Sequence, residues 1–186
     1  MTSPRASAFA PAIRVLHAAD APAYRELRLR ALRGEASAYL TSAEEYEART
    51  LGAVAERLAP TPGCLTLGAF VSAEPTPTGP TGTPLVAIAT LARSSAPRHR
   101  HRAEVFAVYV APEVRGLKLG RSLMSALIVQ ARAMPELEVF GLSVTSTQLA
   151  ARRLYERLGF TVWGEEPDSL KLGERRLSAL HMQLRL

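Results

Sequence analysis

Cysteine is almost absent from this chain of 186 residues. Cys64 stands alone, so no intrachain disulfide can brace the fold, and no cluster of thiolates can hold a metal. A lone thiol fits a reducing compartment, and a cytoplasmic protein is the expectation. Lysine is nearly as scarce, at Lys118 and Lys171 only. The net charge of +6 is therefore carried by arginine, which favours anionic partners such as phosphorylated cofactors or acidic substrates. Aromatic residues make up 6%, too little stacking surface for a nucleic-acid binder, and no basic helix is interleaved with them. No apolar run approaches the length of a membrane span. In the first fifteen residues Pro4, Arg5 and Pro11 interrupt any signal-like apolar core. Residues 1–11 are expected to be a disordered tail, and 12–186 a single domain.

What is present reads as α/β. Hydrophobic residues make up 47% and charged residues 22%, usual for a globular domain. Residues 13–16 predict a short strand. Asp20 with Pro22 predicts a helix start. Ser42 followed by Glu45 has capping-box spacing, and one helix is expected from there to about Leu58. Residues 64–71 and 85–91 predict a hairpin joined by a long proline-rich loop. Residues 103–110 are the clearest strand, stopped by Pro112. In 117–134 Leu119, Leu123, Leu127 and Ala131 recur at helical spacing with Met124 and Ile128 beside them. A strand at 139–144, a helix at 148–158 ended by Gly159, and strands at 160–163 and 177–184 complete the order. The strand–helix–strand–helix centre predicts parallel neighbours joined by right-handed crossovers, flanked by antiparallel hairpins.

The segment Val114 to Gly120, "VRGLKLG", links the clearest strand to the most amphipathic helix. The first turn of a helix carries unpaired N–H groups and a positive dipole end. Arg115, Lys118 and Arg121 add formal charge, and Gly116 and Gly120 let an anion approach the backbone. Strand, glycine loop and helix start together suit a pyrophosphate. A solvated basic turn has the same composition. The spacing excludes a nucleoside-triphosphatase loop and disfavours a dinucleotide fingerprint.

"VYVAPEVRGLKLGRSLM" followed by "LSVTSTQLAARRLYERLGF" resembles the GNAT superfamily of N-acetyltransferases. The first stretch is similar to its [QR]-x-x-G-x-[GA] signature and the second to its helix ending in L-Y-E-x-x-G-F. The resemblance implies a mixed sheet of about seven strands flanked by four helices, with the central parallel strands splayed. It implies that acetyl-CoA is a co-substrate, with no metal. Its pyrophosphate would rest on Arg115, Gly116, Leu117, Lys118, Leu119, Gly120, Arg121 and Ser122. Its pantetheine arm would pair with backbone groups of Val108, Tyr109 and Val110. This chain departs from the pattern twice: Lys118 replaces the signature's middle glycine, and Gln148 stands where the family carries a cofactor-contacting asparagine.

Transfer of an acetyl group to an amine requires a group that removes a proton from the amine and one that protonates the departing thiolate. The resemblance puts Tyr155 near the cofactor sulfur as the acid. Spacing alone equally fits a core residue on the stripe Ala151, Leu154, Tyr155 and Leu158. Glu104 is the expected base. By the period of two it shares a strand face with Phe106, Val108 and Val110; a solvated strand end is the other reading. His99 and His101 in "RHRHR" read as a base, an anion site or a solvated turn. His17 and His181 read as isolated structural residues.

The sequence therefore predicts an N-acetyltransferase acting on a primary amine, in a ternary complex, by direct attack. The acceptor is open between a small molecule, a peptide or protein N-terminus, and a lysine. A non-catalytic acyl-CoA-binding module is the alternative. Neither nucleic acid nor membrane is expected as a partner, and a homodimer is left open. Acceptor-binding loops are expected between the first two helices, at 94–102 and in a turn at 165–175, with Glu35, Glu44, Glu45, Asp168 and Glu174 as acidic residues able to attract a cation.

Overall fold

The computed structural model describes residues 11–71 and 83–186. The expected tail, apart from Pro11, and most of the proline-rich loop lie outside the described residues. Strands β1 (Ala12–Val15), β2 (Cys64–Phe70), β3 (Leu85–Arg93) and β4 (Arg102–Val110) form an antiparallel series. β4 then pairs in parallel with β5 (Val139–Thr145). The closing hairpin, β6 (Thr161–Leu172) and β7 (Arg175–Arg185), joins through β7, so the sheet order is β1-β2-β3-β4-β5-β7-β6. A mixed seven-stranded sheet was expected, and the sheet has that form.

Helix α1 (Ala21–Gly34) starts where Asp20 and Pro22 predict it. The Asp20 carboxylate, however, does not cap it. It turns back to accept hydrogen bonds from Arg14 at 2.6 and 2.7 Å and from the His17 backbone N–H at 2.9 Å. The single helix expected from residue 42 to 58 is two: α2 (Ala43–Glu47) and α3 (Leu51–Leu58). Ser42 and Glu45 do make the capping box. The chain then breaks because Thr50 is extended and its hydroxyl accepts from the Ala53 N–H at 3.2 Å, opening a second helix. Helices α4 (Leu119–Arg132) and α5 (Leu149–Arg157) follow β4 and β5. The expected stripe of α4 is buried in full: Leu119, Leu123, Met124, Leu127, Ile128 and Ala131. Gly159 leaves α5 at φ 92, a left-handed conformation that glycine adopts without strain.

The parallel ladder between β4 and β5 is short. It runs from Arg102↔Val139 to Val105↔Leu142 and stops. Both strands continue, as 106–110 and 143–145, with no ladder between them. The cause lies in β4. Ile88 pairs with Tyr109 and Thr90 with Phe106, so β4 carries one residue more than β3 over this stretch. The extra residue is accommodated with Ala107 at φ 53. Such a bulge bends its strand and sharpens the twist. A left-handed residue with a β-carbon costs about 1–2 kcal/mol. The expected splay of the central strands is therefore present, and it begins at this bulge.

The bulge also changes which side chains share a face. Glu104, Phe106 and Tyr109 fall on one face, opposite Ala92, Thr90 and Ile88. Val105 and Val110 fall on the other, opposite Leu91 and Ala87. The period-two expectation for Glu104 holds for Phe106 and fails for Val110, because it counts through Ala107. The far end of the sheet also differs from expectation. Residues 165–175 are strands joined by a two-residue turn at Gly173 and Glu174, not a loop. Pro167 and Asp168 fall in the irregularity between Glu166 and Leu170. A proline is tolerated there because β6 is an edge strand.

Candidate active site

A cavity of about 670 Å³ opens where β4 and β5 part. Its strand wall includes Thr66, Thr90 and Glu104 to Val108, with Ser143, Val144 and His181. Its helical wall includes Tyr24 and Arg28 of α1, Tyr39, Tyr46 of α2 and Tyr155 of α5. Two expected residues, Glu104 and Tyr155, thus face one space. So does Gln148, whose side-chain amide donates to the Ser37 hydroxyl at 3.3 Å.

Glu104 is held by a missing β-carbon. It pairs with Gly141 across the parallel ladder. A methyl group on Gly141 would sit 2.6 Å from Glu104 Oε2 and nearer still to Oε1. The carboxylate therefore lies directly over the Gly141 backbone. Burial lifts its pKa above the ordinary carboxylate value, against the opposing pull of Arg102, His181 and His99. A raised carboxyl suits a base that must release its proton again near neutral pH.

Tyr155 is 6% exposed and packs edge-on against Phe160, with ring centroids 6.0 Å apart. Burial raises its phenol pKa further above the ordinary value, so it keeps its proton at any physiological pH. The core and acid readings of this residue are compatible: the ring packs and the residue still lines the cavity.

On the other side of the sheet, Gly120 packs against Val110 and Leu154, each 3.4 Å from where its β-carbon would be. Gly116 is left-handed at φ 82, and so is Lys118 at φ 61. Lys118 is the N-cap of α4, and no side chain caps that helix. The N–H groups of its first turn, from Leu119, Gly120 and Arg121, point out of the helix start without intrahelical partners. Leu117, Lys118, Arg121 and Ser122 are exposed, whereas Leu119 is buried. Arg115 is engaged within the chain. It donates to the Val110 carbonyl at 2.9 Å, forms an ion pair with Glu35, and lies 5.8 Å from the Tyr109 ring. The Val108 carbonyl accepts from the Tyr39 hydroxyl at 2.9 Å. Two carbonyls in the stretch Val108, Tyr109, Val110 are therefore already bonded.

The model of the Acetyltransferase (GNAT) family matches residues 37–160. The chain belongs to the GNAT acetyltransferase family. The stretch matched runs through both strands of the splayed gap and α4, and ends just after α5. Among curated proteins, this GNAT chain is 41% identical over 80 residues to the L-methionine sulfoximine/L-methionine sulfone acetyltransferase of Salmonella typhimurium. That alignment covers 42% of the chain and 46% of the relative, so it spans about half the length of the relative it matches. Among solved structures, yncA from Salmonella typhimurium with its cofactor acetyl-CoA is 28% identical, with TM-score 0.70 over 95% of this chain and 94% of that one. A GNAT superfamily phosphinothricin acetyltransferase from Sinorhizobium meliloti, in complex with acetyl-CoA, gives TM-score 0.74 at 19% identity, over 95% and 88% of the two chains. This second likeness speaks for the fold alone.

Several residues of the GNAT site are not visible by motif. His181 is not isolated: it lines the cavity, meets Glu166 at 3.0 Å and stacks on Trp163 with centroids 5.3 Å apart. Of the acidic residues expected near the acceptor, Glu35 reaches the cavity. Glu44 and Glu45 belong to the first turn of α2, and Asp168 meets Arg176 at 3.6 Å. His99 and His101 lie on an exposed or half-exposed turn, edge to face at 5.9 Å. Of Arg28 and Tyr39, Arg28 alone carries a signal in the sequence. Arg28 is four residues from both Tyr24 and Leu32, which puts it on the apolar stripe of α1.

The contact between Glu104 and Gly141 makes a direct prediction. Gly141→Ala should turn the Glu104 carboxylate aside and destabilise the fold by about 1 kcal/mol, the low end of overpacking, because the atoms displaced end a flexible side chain. In the Glu104→Ala background the same change should cost little. A double-mutant cycle by urea denaturation measures the difference, and additive effects would show that the two residues do not collide.

Proposed function

We propose that this GNAT protein transfers the acetyl group of acetyl-CoA to a primary amine, by direct attack in a ternary complex. The observation that carries the reading is the cavity itself: Glu104 and Tyr155 open onto one space at the head of the β4–β5 gap. The residues present fit acetyl-CoA. An uncapped helix start with Lys118 at its mouth and Arg121 and Ser122 in its first turn suits a pyrophosphate. The gap between 106–110 and 143–145 suits an extended arm. When bound, acetyl-CoA supplies an activated thioester carbonyl.

In this reading Gly116 and the first N–H groups of α4 hold phosphate oxygens, with Lys118 and Arg121 supplying charge. Arg115 contributes only by exchanging Glu35 for phosphate. Glu104 takes the proton from the acceptor ammonium, directly or through water, which frees the nitrogen lone pair. The nitrogen then bonds the carbonyl carbon, the carbon–sulfur bond breaks, and the nitrogen releases its second proton to solvent. Tyr155 gives its proton to the sulfur and is reprotonated from solvent. The burial that raises both pKa values supports these roles: Glu104 is a stronger base than an exposed carboxylate, and Tyr155 stays protonated until needed. The acetyltransferase activity of the Salmonella typhimurium relative agrees with this chemistry.

Gly120→Asp should weaken acetyl-CoA binding at least tenfold by calorimetry. The added side chain would start in contact with Val110 and Leu154, and its carboxylate repels phosphate at the helix start. A folded variant with unchanged Kd would remove α4 as the pyrophosphate site.

Glu104→Gln should lower kcat and leave acetyl-CoA affinity intact. In the wild type, activity should fall as pH drops through a pKa above the ordinary carboxylate range, because the base must be ionised; the variant should lack that limb. The same raised pKa means that folding favours the protonated carboxyl. Its contribution to stability is therefore present at low pH and lost as pH rises through the folded-state pKa. Glu104→Gln should accordingly raise Tm at neutral pH and leave it nearly unchanged below the unfolded carboxyl pKa.

Tyr155→Phe keeps the ring against Phe160 and removes the proton. It should fold and bind acetyl-CoA normally and turn over about 10²–10⁴-fold more slowly, the range for loss of one general acid. Wild-type kcat in a folded Phe variant would leave Tyr155 as a packing residue only.

A further inference from the structure

The helical wall of the cavity holds a charge without a counter-charge. Arg28 of α1 is only 9% exposed, yet among the described residues it has no ion-pair partner. Its guanidinium lies 4.2 Å from the Tyr39 ring centroid, which stabilises the cation from one side. Its Nη1 is fully buried and makes no hydrogen bond. The hydroxyl of Tyr46, on the same wall, is also buried without a partner. Both residues line the cavity, and Arg49, which stacks on Tyr46 at 5.3 Å, lines it too. Buried polar atoms are nearly always satisfied, and a buried guanidinium with a free donor is costly. Of the carboxylates lining the cavity, Glu35 is paired with Arg115 and Glu166 with His181, whereas Glu104 has no ion-pair partner among the described residues. A cavity that holds an unpaired guanidinium and an unpaired carboxyl group is complementary to a zwitterion.

We infer that the acceptor carries a carboxylate or an equivalent oxyanion beside its amine, and that Arg28, with Tyr46, receives that anion while the amine faces Glu104. A free amino acid or a close analogue fits this description. A protein N-terminus does not, because its α-carbonyl is an uncharged amide, and a lysine side chain carries no anion within reach. Guanidinium and carboxylate match as a planar two-donor, two-acceptor pair, and Nη1 is a buried donor without a partner. Arg49 adds field at the rim.

The assignment rests on the acetyl-transfer reading for its setting, so the test separates the two. Acetylation of a panel of L-amino acids is compared with that of their primary amides and of the decarboxylated amines, by release of free CoA. The best acid should exceed its amide and its amine by about 10–100-fold in kcat/KM, the scale of a charge-assisted hydrogen bond. Arg28→Met should erase most of that ratio through KM, while the affinity for acetyl-CoA stays unchanged; Arg28→Lys should retain part of it. Equal use of acids, amides and amines by the wild type would overturn the inference and leave acetyl transfer intact. So would an unchanged ratio in Arg28→Met. A second arm needs no turnover. In the presence of CoA, the amino acids used should raise the wild-type Tm, and their amides should not. If no amine of any kind is acetylated, the transfer reading fails, and the Tm arm alone decides: no acid stabilising the wild-type protein, or equal stabilisation of Arg28→Met, overturns the anion site.

Discussion

The end of one hydrogen-bonded ladder governs the rest of this molecule. β4 and β5 are held together for four residue pairs and then part. The parting begins beside the residue in β4 whose extra length has no match in β3. Had β4 run straight, its last residues would pair with Ser143 to Thr145 and close the sheet. The cavity, with Glu104 at its near end and Tyr155 on its helical wall, exists because that pairing fails. The conformational strain at Ala107 is small beside the sheet that surrounds it. The long β3–β4 ladder on one side and the β5–β7 ladder on the other keep both strands in place while the space between them stays open.

Much of this was legible in the sequence, for reasons that can be named. The α4 stripe was readable because its apolar residues recur at a helical period without interruption. The order of strands followed from alternation and from proline positions. Tyr155 was expected from a motif and Glu104 from strand alternation, and both line the one cavity. The failures are equally specific. Face assignment by period two broke at Ala107, because a bulge filled by alanine leaves no glycine to mark it. The split between α2 and α3 was missed because Thr50 reads as an ordinary helix residue until its hydroxyl is seen to cap. The long hairpin was taken for a loop because Pro167 and Asp168 are turn residues, and only an edge position tolerates them in a strand. Arg28 was lost among Arg25, Arg30 and Arg33, three neighbours of the same type with different surroundings.

The arginine excess resolves into different tasks. Arg30 meets Glu113 at 2.6 Å, and Arg115 pairs with Glu35, so two ion pairs tie α1 and the turn after it to the loop before α4. Both are exposed or half-exposed, and each contributes modestly, about 0–1 kcal/mol. Their effect is positional: the helical wall of the cavity and the mouth of α4 are linked across the end of β4. Arg14 organises the first turn through Asp20. Arg28 alone among these is buried without a carboxylate.

The carboxylate lying over Gly141 has a consequence for how such a chain can change over time. A side chain gained at 141 while a glutamate stands at 104 would turn the carboxylate aside, because both would occupy one volume. The glutamate can be lost first at no steric cost, and the glycine is then released to vary. The reverse order passes through an overpacked intermediate. The two positions thus drift freely in one order and displace the carboxylate in the other, and an acid regained at 104 would take its present place only over a bare backbone in the neighbouring strand.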